Sequence, residues 1–571
     1  MKTEQKVMIH KNFKCLWLDF IIMKFHSRFF LALLFTFLLH YAAASKGKPI
    51  YIRVNQVGFL IKDIKTAVVM SEAPIKNKEF AVRDVTSHKN IYKNKLNDPV
   101  YEYGRFRYCY ILDFSGLKKT GKYEIIVDGN ISYPFRIDND AYSAIADSLL
   151  LFYKVQRCGP TNPYLHGPCH LSDVARVIGE PNLGMVDVTG GWHDAGDYIK
   201  FLSTIAYTTY MMIFSYEFNK DKFGFDDDHN GVPDILEEAK IGLDWLLRAN
   251  FSKDKLITQV QDIRDHDVGW RLPEYDTLRY DRAGIEGIGK DQIGIYSAAL
   301  AIGAKVWKEK FHYDEFANRC LAAAEKFYAI RNKVADIDTS TSGFYRDTKF
   351  WGKLALGAVE LYNATKNSKY LTDASVYGDS AKSDYWWSWG DINSLADYRI
   401  AQHIPRFSEY IVNNLKAFNA NKNKSIFKEG MAYTWGTTNS FLGIDLQNIL
   451  YKSLTGKTDF DSLAAYQRDY VLGRNPWGIS FIYNIGKVFP QHLHSQVAYF
   501  HNGYLPGALS AGPAPESILK HYDIKRTNFK YDLFNSDDIK YYDDRMDYIT
   551  NEPTIVGNAT ALFVLGNLKN K

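Results

Sequence analysis

The sequence predicts a two-part protein in which a small N-terminal β-sandwich precedes a large all-α domain. Between Tyr51 and Ile137, short runs rich in β-branched and aromatic residues alternate with turn residues, as in strands. From about Ala141 onward, apolar residues recur at i, i+3 and i+4, which is the spacing of helices. A chain of 571 residues that is 46% apolar can bury a sizeable core.

Residues 1–44 are predicted to be a targeting segment, with the signal peptide itself at residues 23–44. Basic residues precede the apolar stretch Phe29–Leu39, and Ala42–Ala44 has the small residues of a cleavage site. The alternative is a membrane anchor that begins near Leu16, but charged residues interrupt it. We therefore expect a secreted or periplasmic protein with no membrane segment after signal removal.

Residues 46–138 are predicted to form a β-sandwich of about immunoglobulin size. The strand-like runs are IRVNQVGFL, TAVVM, RYCYILDF, KYEIIVD and YPFRI. Cys109 alternates within one of these runs, which predicts a buried thiol. No chemistry is visible in this part, so its expected role is packing against the second domain, with sugar binding as the alternative.

The second domain, residues 140–571, is predicted to be helical. Eight segments carry the helical spacing: 143–157, 205–218, 233–248, 294–308, 316–330, 352–366, 439–454 and 552–566. Cys320 lies on an apolar face of one of them and is expected in the core. The run Gly284–Lys290 matches most of a phosphate-loop pattern, but no strand is predicted before it and Asp291 follows it, so we interpret it as a loop.

Composition excludes some classes of function. A net charge of +5 on 571 residues gives no case for a nucleic-acid partner. Five cysteines in a chain of this length do not make a disulfide scaffold. Aromatic residues make up 15% of the chain, and rings of this kind stack on the apolar faces of sugars, although most of them are expected in the core.

Three carboxylates are the candidate catalytic residues. Asp194 and Asp197 lie three positions apart in GGWHDAGDYIKF, where Gly196 allows close backbone approach. Glu552 lies in NEPTIVGNA, just before a predicted helix. Either stretch alone is also an ordinary turn or helix start, so the argument depends on the pair.

These two stretches, with YVLGRNPWGISF between them, resemble the signatures of the family-nine glycoside hydrolases, which are mostly cellulases. The resemblance runs from about Ile52 to the C-terminus. It implies an (α/α)6 barrel, preceded in one branch by an Ig-like module. It also implies an inverting reaction with Glu552 as proton donor, Asp197 as general base and Asp194 helping to hold the water. Inversion requires room for water between the carboxyl groups, about 6.5–9.5 Å.

The segment that binds sugar in this family departs from its usual pattern. Many members have His-His-Arg after a proline, whereas FPQHLHSQ places His494 at the first position and Gln496 at the arginine. A neutral amide cannot replace the guanidinium fork, so polymer preference and endo action are in doubt. His492 and His494 are candidate donors to sugar hydroxyls, and Trp270 matches a cleft aromatic of the family, with a core role as the alternative.

A structural zinc site is predicted from Cys158, Cys169, His170 and His193. Two thiolates and two imidazoles make a closed tetrahedral set, and the Ig-bearing branch of the family has such a site. The alternative is a Cys158–Cys169 disulfide, which is reasonable in an oxidising compartment. His166 is the spare candidate ligand.

A structural calcium site is predicted in DDDHNGVPDILEE, which matches the calcium-loop template and fits the family. The predicted ligands are Asp226, Asp228, Asn230, Val232 through its carbonyl, Asp234 and Glu237. The alternative is a plain helix N-terminus whose acids complement the helix dipole. No organic cofactor is expected.

The expected function is that of a secreted, monomeric, inverting endoglucanase that cleaves β-1,4-glucosidic bonds in cellulose-like or mixed-linkage glucans. The first alternative is an exo-acting β-glycosidase on cello-oligosaccharides or glucosaminyl ends, because Gln496 replaces the arginine. The second is a non-catalytic carbohydrate-binding protein, which the intact carboxylate set disfavours.

Overall fold

The computed structural model describes residues 48–99, 101–171, 173–276, 282–341 and 344–568. The predicted targeting segment lies outside these residues. Among the helices described, none is both long and apolar enough to cross a membrane.

The N-terminal part is a sandwich of two sheets. Its strands are β1 Ile50–Arg53, β2 Gly58–Phe59, β3 Thr66–Ser71, β4 Glu79–Asp84, β5 Asn90–Lys95, β6 Tyr101–Tyr103, β7 Phe106–Asp113, β8 Gly121–Val127, β9 Asn130–Ile131 and β10 Phe135–Ile137. One sheet has the order β1-β3-β7-β6 and the other β2-β10-β8-β4-β5, with β9 paired to β8. Burial alternates along β8, where Tyr123, Ile125 and Val127 face the core between the sheets. Cys109 is buried in β7, as predicted.

Twelve helices of nine or more residues follow in the part of the chain that the structure describes. They are α1 Ile145–Gln156, α2 Leu202–Phe218, α3 Asp234–Ala249, α4 Lys290–Phe311, α5 Asp314–Ala329, α6 Trp351–Thr365, α7 Ser368–Ala381, α8 Asn393–Ala401, α9 Ser408–Asn421, α10 Thr437–Thr455, α11 Asp461–Val471 and α12 Ile555–Gly566. Eight of them overlap the predicted segments. Cys320 is buried in α5, as predicted.

The even-numbered helices form a closed inner ring, in which α2 packs on α4, α4 on α6, α6 on α8, α8 on α10, α10 on α12 and α12 on α2. Each odd-numbered helix packs outside this ring. The composition of the helices follows from this placement: every residue of α12 is buried, whereas α3 buries one face and leaves polar residues on the other. The predicted (α/α)6 barrel is confirmed.

A small five-stranded sheet lies in the loops of the helical domain and was not predicted. Its strands are β11 Val174–Ile178, β12 Met185–Asp187, β13 Lys200–Phe201, β14 Leu256–Val260 and β15 Gly284–Gly287. β15 lies within the run that we interpreted as a loop, so that interpretation was wrong: β15 pairs with β14 and β11 through its backbone. Lys290 starts α4 and binds Asp336 at 2.6 Å.

The sandwich is joined to the barrel by buried polar contacts. Asn55 Nδ2 donates to Asp469 Oδ1 at 2.7 Å and to the Tyr142 hydroxyl at 3.0 Å. Gln56 Nε2 donates to the Gly478 carbonyl at 2.7 Å. The segment YVLGRNPWGISF therefore lies against the sandwich rather than beside the carboxylates. The last strand of the sandwich ends at Ile137 and α1 begins eight residues later, while the exact domain limits stay a prediction.

Candidate active site

A large cavity, with a volume of about 1010 Å³, opens at one end of the barrel. Its walls come from the segments that precede the inner helices, including residues 194–201 before α2, 344–346 before α6, 386–389 before α8, 434–436 before α10 and 546–554 before α12. Because the inner helices run in the same direction, their N-terminal ends meet at this face. Loops that are far apart in sequence are thereby brought into one site.

Asp194 and Asp197 lie on a tight loop in this cavity. The Asp194 backbone N–H donates to the Ile199 carbonyl at 3.0 Å, and the Ile199 N–H donates to Asp197 Oδ1 at 3.0 Å. A Cβ at Gly196 would lie 2.3 Å from the His494 carbonyl oxygen. Gly196 is therefore required for contact with the protein backbone, whereas the sequence suggested contact with a ligand.

Glu552 is held against the same loop. Its Oε1 accepts the Gly196 N–H at 3.0 Å, and the Asp194 carbonyl accepts the Ile555 N–H at 2.9 Å, where α12 begins. Burial raises the pKa of Glu552 well above its usual range, and the negative charge of Asp197 raises it further. Glu552 lies in the link between a short helix and α12, three residues before α12 begins.

The two aspartates have different surroundings. Asp197 Oδ2 lies 2.8 Å from His266 Nε2, and Asp197 is partly open to the cavity. Asp194 is buried, and burial raises its pKa to about 7. Asp194 Oδ1 has no hydrogen-bond partner among the described residues. Asp197 therefore has His266 as a hydrogen-bonding or cationic partner, whereas Asp194 has a buried oxygen that requires a hydrogen-bond donor.

Two of the four predicted sugar contacts have rings at the cavity wall. His494 Nε2 lies 3.9 Å from Glu552 Oε1, and its Nδ1 lies 2.7 Å from the Arg545 carbonyl. Burial lowers the pKa of His494, which favours the neutral ring. The Trp270 ring lies edge-on to the His494 ring, with 5.3 Å between ring centroids. Trp270 therefore lies in the cavity wall rather than in the core.

Gln496 lines the cavity but its acceptor is already used. Gln496 Oε1 accepts the Arg271 backbone N–H at 3.0 Å, and the Gln496 N–H donates to the Gly196 carbonyl at 3.1 Å. Gln496 thus joins the loop that carries Trp270 to the loop that carries both aspartates. The Arg271 guanidinium binds Asp265 and Asp276 and is not among the groups that line the cavity.

His492 is not among the residues that line the cavity. Its Nδ1 lies 3.4 Å from Asp543 Oδ2, and a hydrogen bond with this carboxylate raises the pKa of His492. The Asp543 carboxylate also accepts the backbone N–H groups of Gln491 and His492. His492 therefore contributes to holding the loop before His494, and its sugar contact stays a prediction.

Sequence reasoning missed most of the aromatic wall. The missed aromatic residues in the cavity lining are Phe344, Tyr345, Trp386, Trp389, Trp435, Tyr522 and Tyr548. They come from loops without helical spacing, so periodicity could not separate them from core residues. His266 was also missed, although it stands four positions before Trp270 in a stretch that the resemblance already singled out.

The four predicted zinc ligands converge, and all four are buried. Cys158 Sγ lies 3.6 Å from His170 Nδ1, Cys169 Sγ lies 4.0 Å from His193 Nε2, and the two ring nitrogens lie 3.2 Å apart. Tetrahedral zinc, with Zn–S of about 2.3 Å and Zn–N of about 2.0 Å, needs ligand separations of about 3.3–3.8 Å. The donor set therefore fits zinc.

The predicted alternatives at this cluster fail. Both Cys158 and Cys169 are free, so the alternative disulfide is not formed. The ring nitrogens of His166 lie 2.8 Å from the Gly167 carbonyl and 2.8 Å from the Val155 carbonyl, and His166 is not among the converging ligands, so it is not a spare ligand. His170 Nε2 lies 3.0 Å from Asp276 Oδ2, the type of contact that orients a metal-binding histidine.

The predicted calcium loop brings together the carboxylates of Asp226, Asp228 and Asp234. The Gly231 N–H donates to Asp226 Oδ2 at 2.8 Å, at a backbone φ of +89° that suits glycine. Asp234 begins α3, which places Glu237 in its first turn. Oxygen donors in this arrangement fit calcium, which prefers flexible oxygen cages.

Comparison with known proteins assigns the chain to a family. The family model of glycosyl hydrolase family 9 matches residues 142–565, and the model of the cellulase N-terminal Ig-like domain matches residues 48–132. The chain belongs to glycosyl hydrolase family 9. The predicted family, the Ig-like module and the assignment as a glycoside hydrolase are confirmed.

Two curated relatives and one solved structure illustrate the range of this family. A cellodextrinase of Butyrivibrio fibrisolvens is 26% identical, over 90% of this chain and 99% of its own. Endoglucanase D of Acetivibrio thermocellus is 22% identical, over 84% and 80%. The solved structure of a zinc-binding triple mutant of a family 9 endoglucanase matches with a TM-score of 0.78 at 24% identity, over 90% of this chain and 99% of that one.

For a family 9 glycoside hydrolase, the arrangement has the parts that hydrolysis of a glycosidic bond requires. Glu552 is a carboxyl group whose pKa is raised by burial, which favours the protonated form, and Asp197 is close enough to interact with it electrostatically. Aromatic rings line the surrounding walls and offer apolar faces to sugar rings.

Proposed function

We propose that this protein hydrolyses β-1,4-glucosidic bonds in cellulose-like or mixed-linkage glucans, and that it does so with inversion. The observation that carries the proposal is the contact of Glu552 with the Gly196 N–H, which holds an acid against the loop of Asp194 and Asp197. Support for the substrate comes from the aromatic cavity and from the names of the relatives, a cellodextrinase and an endoglucanase.

Glu552 is the proposed proton donor to the leaving oxygen. A carboxyl with an ordinary pKa near 4 would be ionised at neutral pH and would have no proton to give. Burial and the charge of Asp197 raise the pKa of Glu552, so the proton is retained until the glycosidic oxygen arrives. Since the neutral form is uncharged, it does not repel the aspartates in the resting enzyme.

Asp197 is the proposed general base, and Asp194 is proposed to orient the attacking water. His266 Nε2 lies 2.8 Å from Asp197 Oδ2 and can hold the proposed base in position. Asp194 Oδ1 makes no hydrogen bond to the described residues, although the Thr204 and Tyr345 side chains interact with the same carboxyl and lower its pKa, and a water O–H would supply a donor to this oxygen. The water then attacks the anomeric carbon from the face opposite Glu552, which inverts the configuration. Product from a β-glucan is therefore expected as the α anomer when first formed, measured by NMR.

An exo-acting enzyme on short cello-oligosaccharides is the second candidate. It is favoured by Gln496, which replaces the family's arginine and uses its oxygen on the Arg271 backbone. The similarity to a cellodextrinase points in the same direction. Loss of viscosity compared with release of reducing ends, on one soluble glucan, separates the two: an endo enzyme lowers viscosity first.

We propose that the Cys158, Cys169, His170 and His193 cluster holds zinc. The support is the convergence of four buried donors at separations that suit tetrahedral coordination. Zinc would act structurally, because four protein ligands close the site and His193 directly precedes Asp194. The loop of Asp226, Asp228, Asn230, Val232, Asp234 and Glu237 is proposed to hold calcium, which would fix the start of α3.

We also propose that the protein is secreted as a monomer. The support for secretion is the signal-like segment at residues 23–44 and the extracellular nature of cellulose-type substrates.

Replacing the acid tests the proposed function. Glu552→Gln is expected to lower kcat on unactivated β-1,4-glucan by at least about a hundred-fold, because the amide has no proton to donate. An aryl cellobioside with a very acidic leaving group is expected to be much less affected. Glu409→Gln, an exposed change on α9, is the matched control. Near-normal glucan turnover by Glu552→Gln would remove Glu552 from the acid role.

The pH profile of the unaltered enzyme gives a second measurement of the same role. Glu552 must be protonated to act, so kcat/KM on glucan is expected to fall as pH rises through its raised pKa. The activated aryl substrate does not need the acid, so its activity is expected to persist at higher pH. Identical alkaline limbs for both substrates would contradict the assignment.

A further inference from the structure

Two exposed aromatic rings continue the cavity wall onto the protein surface. The short helix Gln496–Phe500 buries its first three residues and then exposes two neighbours, Tyr499 at 43% and Phe500 at 45%. Ser495 caps this helix, since its Oγ accepts the Ala498 N–H at 3.3 Å. The helix therefore starts at a cavity residue, Gln496, and ends in two adjacent rings at the surface.

Ring contacts connect these two residues to the cavity. Trp270, which lines the cavity, meets Tyr499 edge-on with 5.3 Å between centroids. Tyr499 in turn meets Phe500 at 4.9 Å with an interplanar angle of 84°. We call Trp270, Tyr499 and Phe500 the aromatic rim. It forms a continuous line of rings from beside His494 outward.

The rim is held in place by the catalytic surroundings. Arg545 Cζ lies 4.7 Å from the centre of the Tyr499 ring, and the Arg545 carbonyl lies 2.7 Å from His494 Nδ1. Met546, the next residue, is exposed and lines the cavity. The residue that stacks on Tyr499 is thus fixed to the same histidine that approaches Glu552.

Single exposed apolar residues are common on protein surfaces and need no explanation. The rim differs because its members touch one another and continue a cavity. Phenylalanine has no polar atom, so exposing Phe500 beside a second ring leaves apolar area in water that a ligand would cover. A ligand of matching chemistry presents flat C–H faces and polar edges, which describes a pyranose chain.

We propose that the aromatic rim binds sugar units of a glucan chain that extends beyond the cavity, outside the units that contact the carboxylates. This proposal rests on the proposed function, because it takes the substrate to be a β-glucan. The rim adds affinity only for chains long enough to leave the cavity, while the bond that is cleaved and the residues that cleave it stay the same.

The test compares substrates of different length. Tyr499→Ala and Phe500→Ala are expected to raise KM for a long soluble β-1,4-glucan about five- to ten-fold with little change in kcat. KM for cellotriose and for a short aryl cellobioside is expected to stay unchanged. Tyr499→Phe keeps a ring and is expected to behave as the unaltered enzyme. Tyr313→Ala, which removes an equally exposed ring before α5, is the matched control.

Two outcomes would contradict the proposal that sugars bind at the aromatic rim. An unchanged KM on the long glucan in both alanine variants would show that no sugar binds there. An equal rise in KM on short and long substrates would show that the rings only support the cavity wall. Thermal unfolding of each variant shows whether the fold is kept, and an exposed position makes that the expected result.

Binding without hydrolysis separates this proposal from the proposed function. Glu552→Gln is run through native gels that contain soluble β-1,4-glucan, with and without Phe500→Ala and Tyr499→Ala. If the rim variants reduce the retardation, sugar binding at the rim is supported. This holds even if the unaltered enzyme hydrolyses no glucan, and in that case the proposed function alone is wrong. If the glucan in the gel does not retard Glu552→Gln, the proposal that sugars bind at the aromatic rim is wrong.

Discussion

Gln496 lies where the family resemblance predicts an arginine, and the structure gives this glutamine a physical role. The side-chain oxygen accepts the Arg271 N–H, and the backbone N–H binds the Gly196 carbonyl. The position is buried, so its acceptor is not exchanged with water. An arginine at position 496 would place guanidinium N–H groups against the Arg271 backbone N–H. Both groups are donors, so the Arg271 N–H would lose its acceptor.

Gln496→Arg is therefore expected to lower kcat/KM on β-1,4-glucans by roughly ten-fold, since a buried N–H loses its acceptor at a cost of about 1–3 kcal/mol. Gln496→Met removes the acceptor at similar volume and is expected to act in the same direction. Steady-state kinetics on a long glucan and on cellotetraose measure both variants. A clear gain with arginine on the polymer would mean that the site is a weakened family subsite rather than a rebuilt one.

At the scale of elements, the segment from β12 to α2 carries Asp194 and Asp197 and is joined through His193 to the proposed zinc cluster. Cys158→Ser is expected to lower bound zinc from about one per chain toward zero, together with a fall in thermal stability and kcat. Cys320→Ser places the same hydroxyl in the buried core of α5 and is the control, because it should retain zinc. Full zinc content in Cys158→Ser, by elemental analysis, would contradict the ligand assignment.

The loop before α3 gives a second prediction at this scale. Calcium that binds only the folded state stabilises it by mass action, so EDTA is expected to lower Tm and added calcium to restore it. Asp228→Asn is expected to remove most of this calcium-dependent shift, whereas Asp254→Asn, at an exposed acid elsewhere, keeps it. Differential scanning calorimetry with and without calcium measures the shift. A shift that is the same in all three proteins would place the calcium elsewhere.

At the scale of the whole molecule, the sandwich supports the barrel through a few buried polar groups. Asn55 donates both to Asp469 and to Tyr142, and burial raises the pKa of Asp469 to about 7. Arg468 binds Asp63 of the sandwich at 2.9 Å and Asp445 of α10 at 2.9 Å. These contacts join the sandwich to α10 and α11 of the barrel, and none of the residues involved lines the cavity of the carboxylates.

Asn55→Ala is expected to cost about 1–3 kcal/mol, because it removes the donor to the buried Asp469 carboxyl and the side-chain acceptor of the Val57 and Gly58 N–H groups. We expect Tm to fall by several degrees while kcat of the folded enzyme stays unchanged. Asn94→Ala, at an exposed position on β5, is the control. Calorimetry measures Tm, and equal Tm values for the two variants would show that the interface contributes little.

The helices that could be predicted are those whose burial produces a regular spacing of apolar residues in the sequence. α2, α4 and α12 are apolar almost all round because they line the inside of the ring, and α3 and α5 show one apolar stripe. α7, α8, α9 and α11 were missed. α8 buries all nine of its residues, yet its sequence, NSLADYRIA, mixes polar and apolar side chains whose partners lie on other helices.

The sequence by itself determined the two-domain order and indicated the three candidate carboxylates and both sets of candidate metal ligands, because each of these is a local pattern of residue types to which the family resemblance gives a role. Only the tertiary structure decided which side chains meet in the cavity. Closure of the inner ring brings the segments before α2, α6, α8, α10 and α12 to one face, which places Tyr345, Trp389 and Trp435 in the wall of the cavity that Glu552 also lines. The fold also brings His492 into contact with Asp543, and the Gln496 side chain into contact with the Arg271 backbone N–H. Contacts between residues that are hundreds of positions apart leave no periodic signal in a single chain, so these assignments required the fold.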